Sequence, residues 1–130
     1  MSYVLDTDTI IYFLKGQPAV TTRILSTKDL AITRITATEL LYGAYNSARQ
    51  QQNLQIIYNL LEDFTVLEFD AIASEYFARH KSYLKKNGIL LADMDLMIAS
   101  ICLAGNHTLV TNNTRHFERI VELVLENWTN

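Results

Sequence analysis

The sequence predicts an α/β fold in which a parallel sheet of four to five strands is covered by helices on both faces. Short apolar, β-favouring runs alternate along the chain with longer segments of helical periodicity. When strands alternate with helices, each helix returns the chain to the same edge of the sheet in a right-handed crossover. The strands therefore run parallel to one another. The length of 130 residues, 49% of them apolar, suits a single domain over 1–130 with a substantial core.

Five short runs are expected to form the strands, because each is apolar and rich in β-favouring residues. They lie at 3–5, 30–33, 66–69, 108–111 and 123–125. In an open parallel sheet, ligands bind beyond the carboxyl ends of the strands. The residues that follow these runs are therefore the first place to look for a functional site.

Three of the segments between the strands carry clear helical patterns. Apolar residues recur at i, i+3, i+4 and i+7 in 54–61, and 72–84 repeats this spacing, so both are expected to be amphipathic helices. The segment 96–104 contains one polar residue, which predicts a helix covered on nearly all sides. Gly105 is expected to end that helix in a left-handed conformation, whereas Gly43 is expected to permit close packing inside a helix.

Composition narrows the class of protein. The 14 acidic residues outnumber the 11 basic ones, giving a net charge of -3, which argues against a domain that coats nucleic acid through bulk charge. The single cysteine, Cys102, cannot form an internal disulfide and is expected to pack as a small apolar residue in a reducing, cytoplasmic compartment. Without a secretory signal or a long apolar span, we expect a soluble protein with no membrane partner and no organic cofactor.

Acidic residues follow the first two strands. Asp6 comes directly after the first run and precedes Thr7 and Asp8, where capping of the next helix is an equally good explanation. After the second run, Thr36 and Glu39 have the spacing of a capping box, which is the favoured local interpretation. A carboxylate in the first turn of such a helix also faces the crevice at the sheet edge.

Two further polar groups complete the pattern. Asp93 and Asp95 open the most apolar helix, and although one of them is a candidate N-cap, capping does not need both. Asn112 and Asn113 follow the fourth run, where an Asx turn explains them locally. Converging carboxylates repel one another unless a cation compensates, and hard oxygen ligands without thiolate favour Mg²⁺, or Mn²⁺ as a substitute, over Zn²⁺.

At these residues the sequence resembles PIN-domain ribonucleases, specifically the VapC-type toxins of type II toxin-antitoxin pairs. Four segments match in the family's order: Val4-Leu5-Asp6-Thr7, Thr38-Glu39-Leu40-Leu41-Tyr42-Gly43-Ala44, Asp93-Met94-Asp95-Leu96-Met97-Ile98-Ala99 and Leu109-Val110-Thr111-Asn112-Asn113. His116-Phe117 follows the fourth segment and matches as well. The resemblance spans nearly all of the chain. It implies a PIN-like three-layer α/β/α domain, Mg²⁺-dependent cleavage of RNA, inhibition by a VapB-type antitoxin and homodimerisation.

The resemblance also implies roles for individual residues. Asp6 and Asp95 become the principal metal-binding carboxylates, Glu39 completes the acidic cluster and Asp93 is an auxiliary acid. The fourth family position, often Asp, is assigned to Asn113, with Asn112 as the alternative. The hypothesis is that Mg²⁺ activates a water for attack on phosphorus while Glu39 or Asp93 positions it or accepts its proton.

Two rival functions fit parts of the same pattern. Asp6-Thr7-Asp8-Thr9 matches the loop of haloacid-dehalogenase-like phosphatases, with Asp6 as nucleophile and Asp8 as general acid. A PIN-like module that has lost catalysis and only binds a partner is the second rival, and the neutral Asn113 gives it some support.

The remaining polar residues are expected to have structural or surface roles. Thr7 and Thr111 are expected to cap locally more often than to orient a ligand, and the three histidines, His116 included, are expected to be structural. Arg34, like the other arginines near the strand ends, is expected to lie on the solvated surface. If Asp6, Asp8, Glu39, Asp93 and Asp95 gather at the site, nine acidic residues elsewhere face eleven basic ones, and the remainder of the protein is mildly basic at +2.

Overall fold

The computed structural model describes residues 2–130. Within them, strands and helices alternate as expected. The strands are β1 (Tyr3–Leu5), β2 (Leu30–Thr33), β3 (Thr65–Leu67), β4 (Thr108–Val110) and β5 (Val124–Glu126). The helices are α1 (Thr7–Leu14), α2 (Pro18–Ser26), α3 (Arg34–Tyr45), α4 (Gln50–Asp63), α5 (Ala71–Lys86), α6 (Asp93–Gly105) and α7 (Thr114–Phe117).

The five strands form one sheet in the order β3-β2-β1-β4-β5, and every neighbouring pair is parallel. At the centre, Val4 of β1 is in register with Ala31 of β2 and Leu109 of β4. The chain moves outward from β1 to β3 on one side and then from β4 to β5 on the other, so the strand order reverses between β1 and β4. That reversal is the switch point at which ligands bind in open α/β sheets.

The sheet separates two apolar cores, which makes the domain three-layered. Successive residues of a strand point to opposite faces, and accordingly Leu5 belongs to one buried cluster and Val4 to the other. The first cluster also holds Ile10 and Trp128, while the second includes Leu96 of α6. The predicted α/β fold with a central parallel sheet is therefore confirmed, and the predicted strands agree with the observed ones to within two residues at each end.

Trp128 secures the end of the chain against the first cluster. Its indole is 2% exposed, its Nε1 donates to Glu126 Oε1 at 3.0 Å, and the Tyr3 ring meets it edge-on at 5.2 Å. The guanidinium of Arg23 lies 4.5 Å from the indole centroid. Trp128 therefore packs as a core residue.

Helix α6 is buried as its composition predicts, with Leu96, Ile98 and the residues from Ala99 to Cys102 inaccessible. Cys102 lies in the second core, where burial raises the pKa of its thiol, so it packs as a small apolar residue. No helix within residues 2–130 is long and apolar enough to cross a membrane.

Two glycine predictions are wrong. Gly105 stays inside α6, and Asn106, at φ 56°, takes the left-handed position that ends the helix. Gly105 is constrained by packing instead, since a Cβ there would lie 2.2 Å from Nε2 of His107. At Gly43 the reverse holds: beyond its own helix, no atom of residues 2–130 lies within 4 Å of a Cβ built there.

Helix α2 was not expected. Pro18 occupies its first turn, where a missing N–H costs nothing, and the side chain of Gln17 accepts from the Val20 N–H at 2.7 Å. Gln17 Nε2 also donates to the carbonyl of Thr129 at 3.0 Å, so a contact from the end of the chain helps to hold this cap. Such long-range support is invisible to local periodicity.

Candidate metal and catalytic site

Asp6 lies at the carboxyl end of β1, where its backbone N–H donates to the Val110 carbonyl of β4 at 2.8 Å. Its side chain caps α1, with Oδ1 accepting from the Thr7 N–H at 2.9 Å, and Oδ2 accepts from the Thr111 hydroxyl at 2.8 Å. The residue is only 7% exposed. Capping and placement at the switch point therefore hold together, because α1 begins where β1 ends.

The environment of Asp6 disfavours a negative charge. The pKa of Asp6 is raised to about 7, first by burial and then by the charge of Asp8, with a smaller increase from Asp95, and the hydrogen bonds from Thr111 and Thr7 oppose these effects. Three carboxylates are thus close enough to influence one another at the end of β1. A cation at this point would relieve both the desolvation and the mutual repulsion.

Asp8 belongs to the same group, although it entered the sequence prediction only through the phosphatase alternative and the charge balance. Its Oδ2 accepts from the backbone N–H of Asn112 at 3.1 Å, which joins α1 to the loop after β4. Burial raises the pKa of Asp8, the Asn112 N–H lowers it, and Asp95 adds a smaller increase. Asp8 is therefore a candidate site residue.

Glu39 reaches the site by a route that differs from the predicted capping box. Helix α3 begins directly after β2, so its cap is Thr33, whose hydroxyl accepts from the Thr36 N–H at 3.1 Å. Glu39 is then one turn further into the helix and cannot reach back to the cap. Its Oε1 accepts instead from the hydroxyl of Thr7 at 2.7 Å, and that hydroxyl also lies 3.0 Å from Thr36 Oγ1.

Asp93 and Asp95 both lie in the first turn of α6, and neither caps it. Ala92 holds the cap position, and no side chain among residues 2–130 donates or accepts there. Asp95 Oδ2 lies 3.0 Å from Nε2 of His116, with both side chains partly buried. Asp93 is more exposed and its Oδ1 accepts from Lys81 Nζ at 2.7 Å. Asp95 thus turns toward the other acids, while Asp93 is held at the rim by α5.

The loop after β4 contributes mainly through its backbone and through Thr111. The Thr111 hydroxyl donates to Asp6 and accepts from the Asn113 N–H at 3.0 Å, so a threonine turn replaces the expected Asx turn. Asn112 Nδ2 lies 3.4 Å from the Tyr12 hydroxyl. Asn113 is exposed and precedes α7 without capping it through its side chain. Its assignment to the fourth position remains a prediction.

Oxygen is the donor that this site offers to a metal. No group of three or more His, Cys, Asp or Glu side chains in residues 2–130 is close enough to form a ready-made metal site. The oxygen donors at the end of β1 nevertheless have the hard character that suits Mg²⁺ or Mn²⁺, and Cys102 is buried in the core. If a hard cation binds at this edge, Asp6, Asp8 and Asp95 are the carboxylates that would supply part of its ligands, and water would supply the others.

Two contacts of the acids were not predicted from the sequence. Thr111 caps locally as expected, by accepting from the Asn113 N–H, and its hydroxyl also donates to Asp6; His116, which was expected to be structural, contacts Asp95. The segment that resembles the family contains both residues, and this was the signal available. Arg34, by contrast, forms an exposed ion pair with Glu68 at 2.6 Å, away from the acids, so the expectation of a surface role is confirmed.

The chain is similar to known proteins along nearly its whole length. The model of the PIN domain family matches residues 3–123. The chain is 34% identical to the ribonuclease VapC2 of Rickettsia felis over 98% of both chains. It is also 34% identical to the tRNA(fMet)-specific endonuclease VapC of Shigella flexneri over 99% of both.

Solved structures agree in fold. The crystal structure of VapBC2 from Rickettsia felis bound to a DNA fragment from its promoter superposes with a TM-score of 0.91, at 34% identity over 98% of this chain and 99% of that one. VapBC from Salmonella typhimurium, also bound to DNA, gives a TM-score of 0.92 at 32% identity over 98% of both chains. VapBC-1 from nontypeable Haemophilus influenzae gives 0.91 at 32% identity over the full length of both.

Proposed function

The chain belongs to the PIN domain family, among ribonucleases of the VapC type, and from this premise we propose that it is a Mg²⁺-dependent endoribonuclease that acts as the toxin of a toxin-antitoxin pair. The observation that supports the proposal is the buried Asp6 at the end of β1, whose pKa is raised first by burial and further by the charges of Asp8 and Asp95. An enzyme that hydrolyses phosphodiesters through a divalent cation needs such a group of carboxylates.

The residues have separable tasks. Asp6 and Asp95 hold the cation, and Asp8 adds charge to the same group. A divalent cation bound there would lower the pKa of a water molecule and neutralise negative charge on the phosphate. Glu39, fixed by Thr7 through Oε1, orients the attacking water or accepts its proton. Asn113 or Asn112 supplies a neutral oxygen at the fourth position, and Asp93 acts at the rim.

The family match disfavours the phosphatase alternative. The family match over residues 3–123 is to PIN domains and not to haloacid dehalogenases. The binding-module alternative is separated from a nuclease by experiment.

The test compares the purified wild-type protein with Asp6→Asn and Asp95→Asn. We expect the wild type to bind Mg²⁺ in calorimetry and to cleave RNA, and each variant to lose more than about a hundredfold in cleavage rate. Asp29→Asn is the matched control, because Asp29 is exposed and its φ of 60° suits asparagine. Folded wild-type protein that neither binds the metal nor cuts RNA would instead establish a non-catalytic module.

The partner proposal rests on the solved relatives, which are toxin-antitoxin complexes. A groove of ≈ 360 Å³ runs from Thr7 and Glu39 between α1, α3 and α4. Ile11 and Leu14 are each 40% exposed along it, and Ile56 is 47% exposed. We assign this apolar groove to a VapB-type antitoxin. Ile11→Asp should weaken binding of the antitoxin encoded beside this chain and leave Mg²⁺ binding unchanged.

Homodimerisation and a cytoplasmic location complete the proposal. Membership of the family supports the first, and the single buried cysteine, which suits a reducing compartment, supports the second. Sedimentation equilibrium of the purified protein tests the first, and fractionation of cells that express it tests the second.

A further inference from the structure

A second concave surface lies away from the acids, between α5 and the segment that leads into β5. It encloses ≈ 400 Å³ and its wall is mainly apolar and aromatic. We call it the α5 pocket. It is lined by Tyr76, Arg79, His80, Tyr83, Val121 and Glu122.

Flat rings dominate the wall of the α5 pocket. Tyr76 and His80, one helical turn apart, have ring planes within 22° of each other and centroids 6.4 Å apart. The Arg79 guanidinium carbon lies 5.0 Å from the Tyr76 centroid. Tyr83 is 53% exposed and Val121 58% exposed, so a large apolar surface faces water. Such a surface suits a planar ligand that stacks on aromatic rings.

Arg79 and Glu122 give the wall of the α5 pocket one charge of each sign, and the excess of positive charge lies beyond it in the second half of α5. The sequence from 79 to 92 contains no Asp or Glu but four cations, which are Arg79, Lys81, Lys85 and Lys86. Lys81, which follows His80 in the chain, contacts the rim acid Asp93. The basic end of α5 therefore extends from the α5 pocket to the edge of the acidic site. This basic end of α5 attracts a polyanion.

The polar residues of the α5 pocket complete its character. Burial lowers the pKa of His80, with Glu122 opposing and Arg79 reinforcing that change, so all three side chains interact electrostatically. A neutral imidazole can stack and also exchange hydrogen bonds with a base edge. The Glu122 carboxylate is an acceptor for a base N–H, such as the ring N3–H of uracil or the exocyclic amino group of cytosine or adenine.

We propose that the α5 pocket binds an unpaired nucleotide of the RNA substrate at a distance from the bond that is cut. The base stacks on Tyr83 and on the ring pair of Tyr76 and His80, and Arg79 binds the adjoining phosphate. The strand then passes Lys81 on its way to the acids. This inference rests on the proposed function, because it names a second contact of the same substrate.

The test uses the full-length protein with Mg²⁺ and compares cleavage of single-stranded poly(U) with cleavage of the dinucleotide UpU, which is too short to reach both sites. Tyr83→Ala and Arg79→Gln should each raise the KM for poly(U) about tenfold, since stacking and phosphate contacts are of that size, while kcat is unchanged. Cleavage of UpU should be unaffected. Tyr58→Ala and Arg49→Gln are matched controls on α4 and before it, and neither should change the KM.

Other outcomes overturn the inference. Equal KM values for pocket variants and controls would do so, and so would a shift from dimer to monomer in sedimentation, which would make the α5 pocket a subunit interface. Binding of free AMP as tightly as poly(U) would identify a free nucleotide as the occupant. If the wild type cuts no RNA, the proposed function fails separately, and fluorescence anisotropy with labelled poly(U) still decides the inference: loss of binding in Tyr83→Ala supports it, and unchanged binding refutes it.

Discussion

His116 Nε2 lies 3.0 Å from Asp95 Oδ2, joining the short helix α7 to the first turn of α6. An ionised carboxylate only accepts hydrogen bonds, so Nε2 carries the hydrogen in this pair and Nδ1 faces away. The contact restricts the rotamer of Asp95 and leaves its other oxygen available to a cation. Residues that orient a metal-binding carboxylate in this way affect affinity without touching the metal.

Replacing His116 by alanine should therefore weaken Mg²⁺ binding and RNA cleavage by about 10- to 100-fold, because Asp95 is no longer oriented. Isothermal calorimetry measures the first quantity and the initial cleavage rate the second. Arg115→Ala, at the exposed neighbouring position, is the control and should change neither. Equal effects of the two substitutions would show that the contact with Asp95 is incidental.

The raised pKa of Asp6 predicts how stability depends on pH. The folded state holds the proton of Asp6 up to about pH 7, whereas the unfolded state releases it near the ordinary aspartate pKa of 3.8. Below about pH 4 the charge of Asp6 does not affect the free energy of unfolding. As the pH rises from about 4 to about 7 this free energy falls, and above about pH 7 the full loss is reached. Asp6→Asn removes this cost but loses an acceptor for the Thr111 hydroxyl.

In the presence of EDTA, Asp6→Asn should thus exceed the wild type in free energy of unfolding by about 1–3 kcal/mol near pH 8, and the difference should vanish near pH 4. Added Mg²⁺ should stabilise the wild type and not the variant. Urea denaturation at the two pH values provides the measurement. A difference that does not vary with pH would mean that Asp6 is not the group that titrates.

Thr7 positions Glu39, and its hydroxyl can be removed with little change of shape. Thr7→Val should lower kcat for RNA cleavage about tenfold with little change in KM, because Glu39 loses the hydrogen bond that orients it. Thr38→Val is the control on α3: its hydroxyl donates to the Arg34 carbonyl and it is exposed. Should kcat remain at the wild-type value, Glu39 does not depend on Thr7 for its position.

The glycines of α3 and α6 should respond oppositely to the same substitution. Gly43→Ala adds a methyl group at an open helical position and should raise the free energy of unfolding by about 0.5–1 kcal/mol. Gly105→Ala drives its Cβ against His107 Nε2 and should lower stability by roughly 1–3 kcal/mol. Thermal unfolding of both variants measures the contrast, and stabilisation of both would show that His107 moves aside freely.

The alternation of strands and helices, the burial of α6 and the identity of the acidic residues could be predicted from the amino-acid sequence. These features depend on local periodicity and on residue types, which one chain displays directly. Helix α2 was not predicted, because part of its cap is held by a contact with Thr129 at the other end of the chain. The capping box at Thr36 was wrong because the helix begins at the end of β2, and sequence spacing alone does not locate that start.

Which acids lie together, and what each one contacts, depends on the packing of segments that are distant in the sequence. Asp6 and Asp95 are far apart in the chain, and they meet because β1 and β4 are neighbours in the sheet and α6 returns to the same edge. The pairing of His116 with Asp95, of Thr111 with Asp6 and of Lys81 with Asp93 follows from that packing. A carboxylate's pKa and its partners depend on burial and on atoms brought from distant segments, which no local pattern contains.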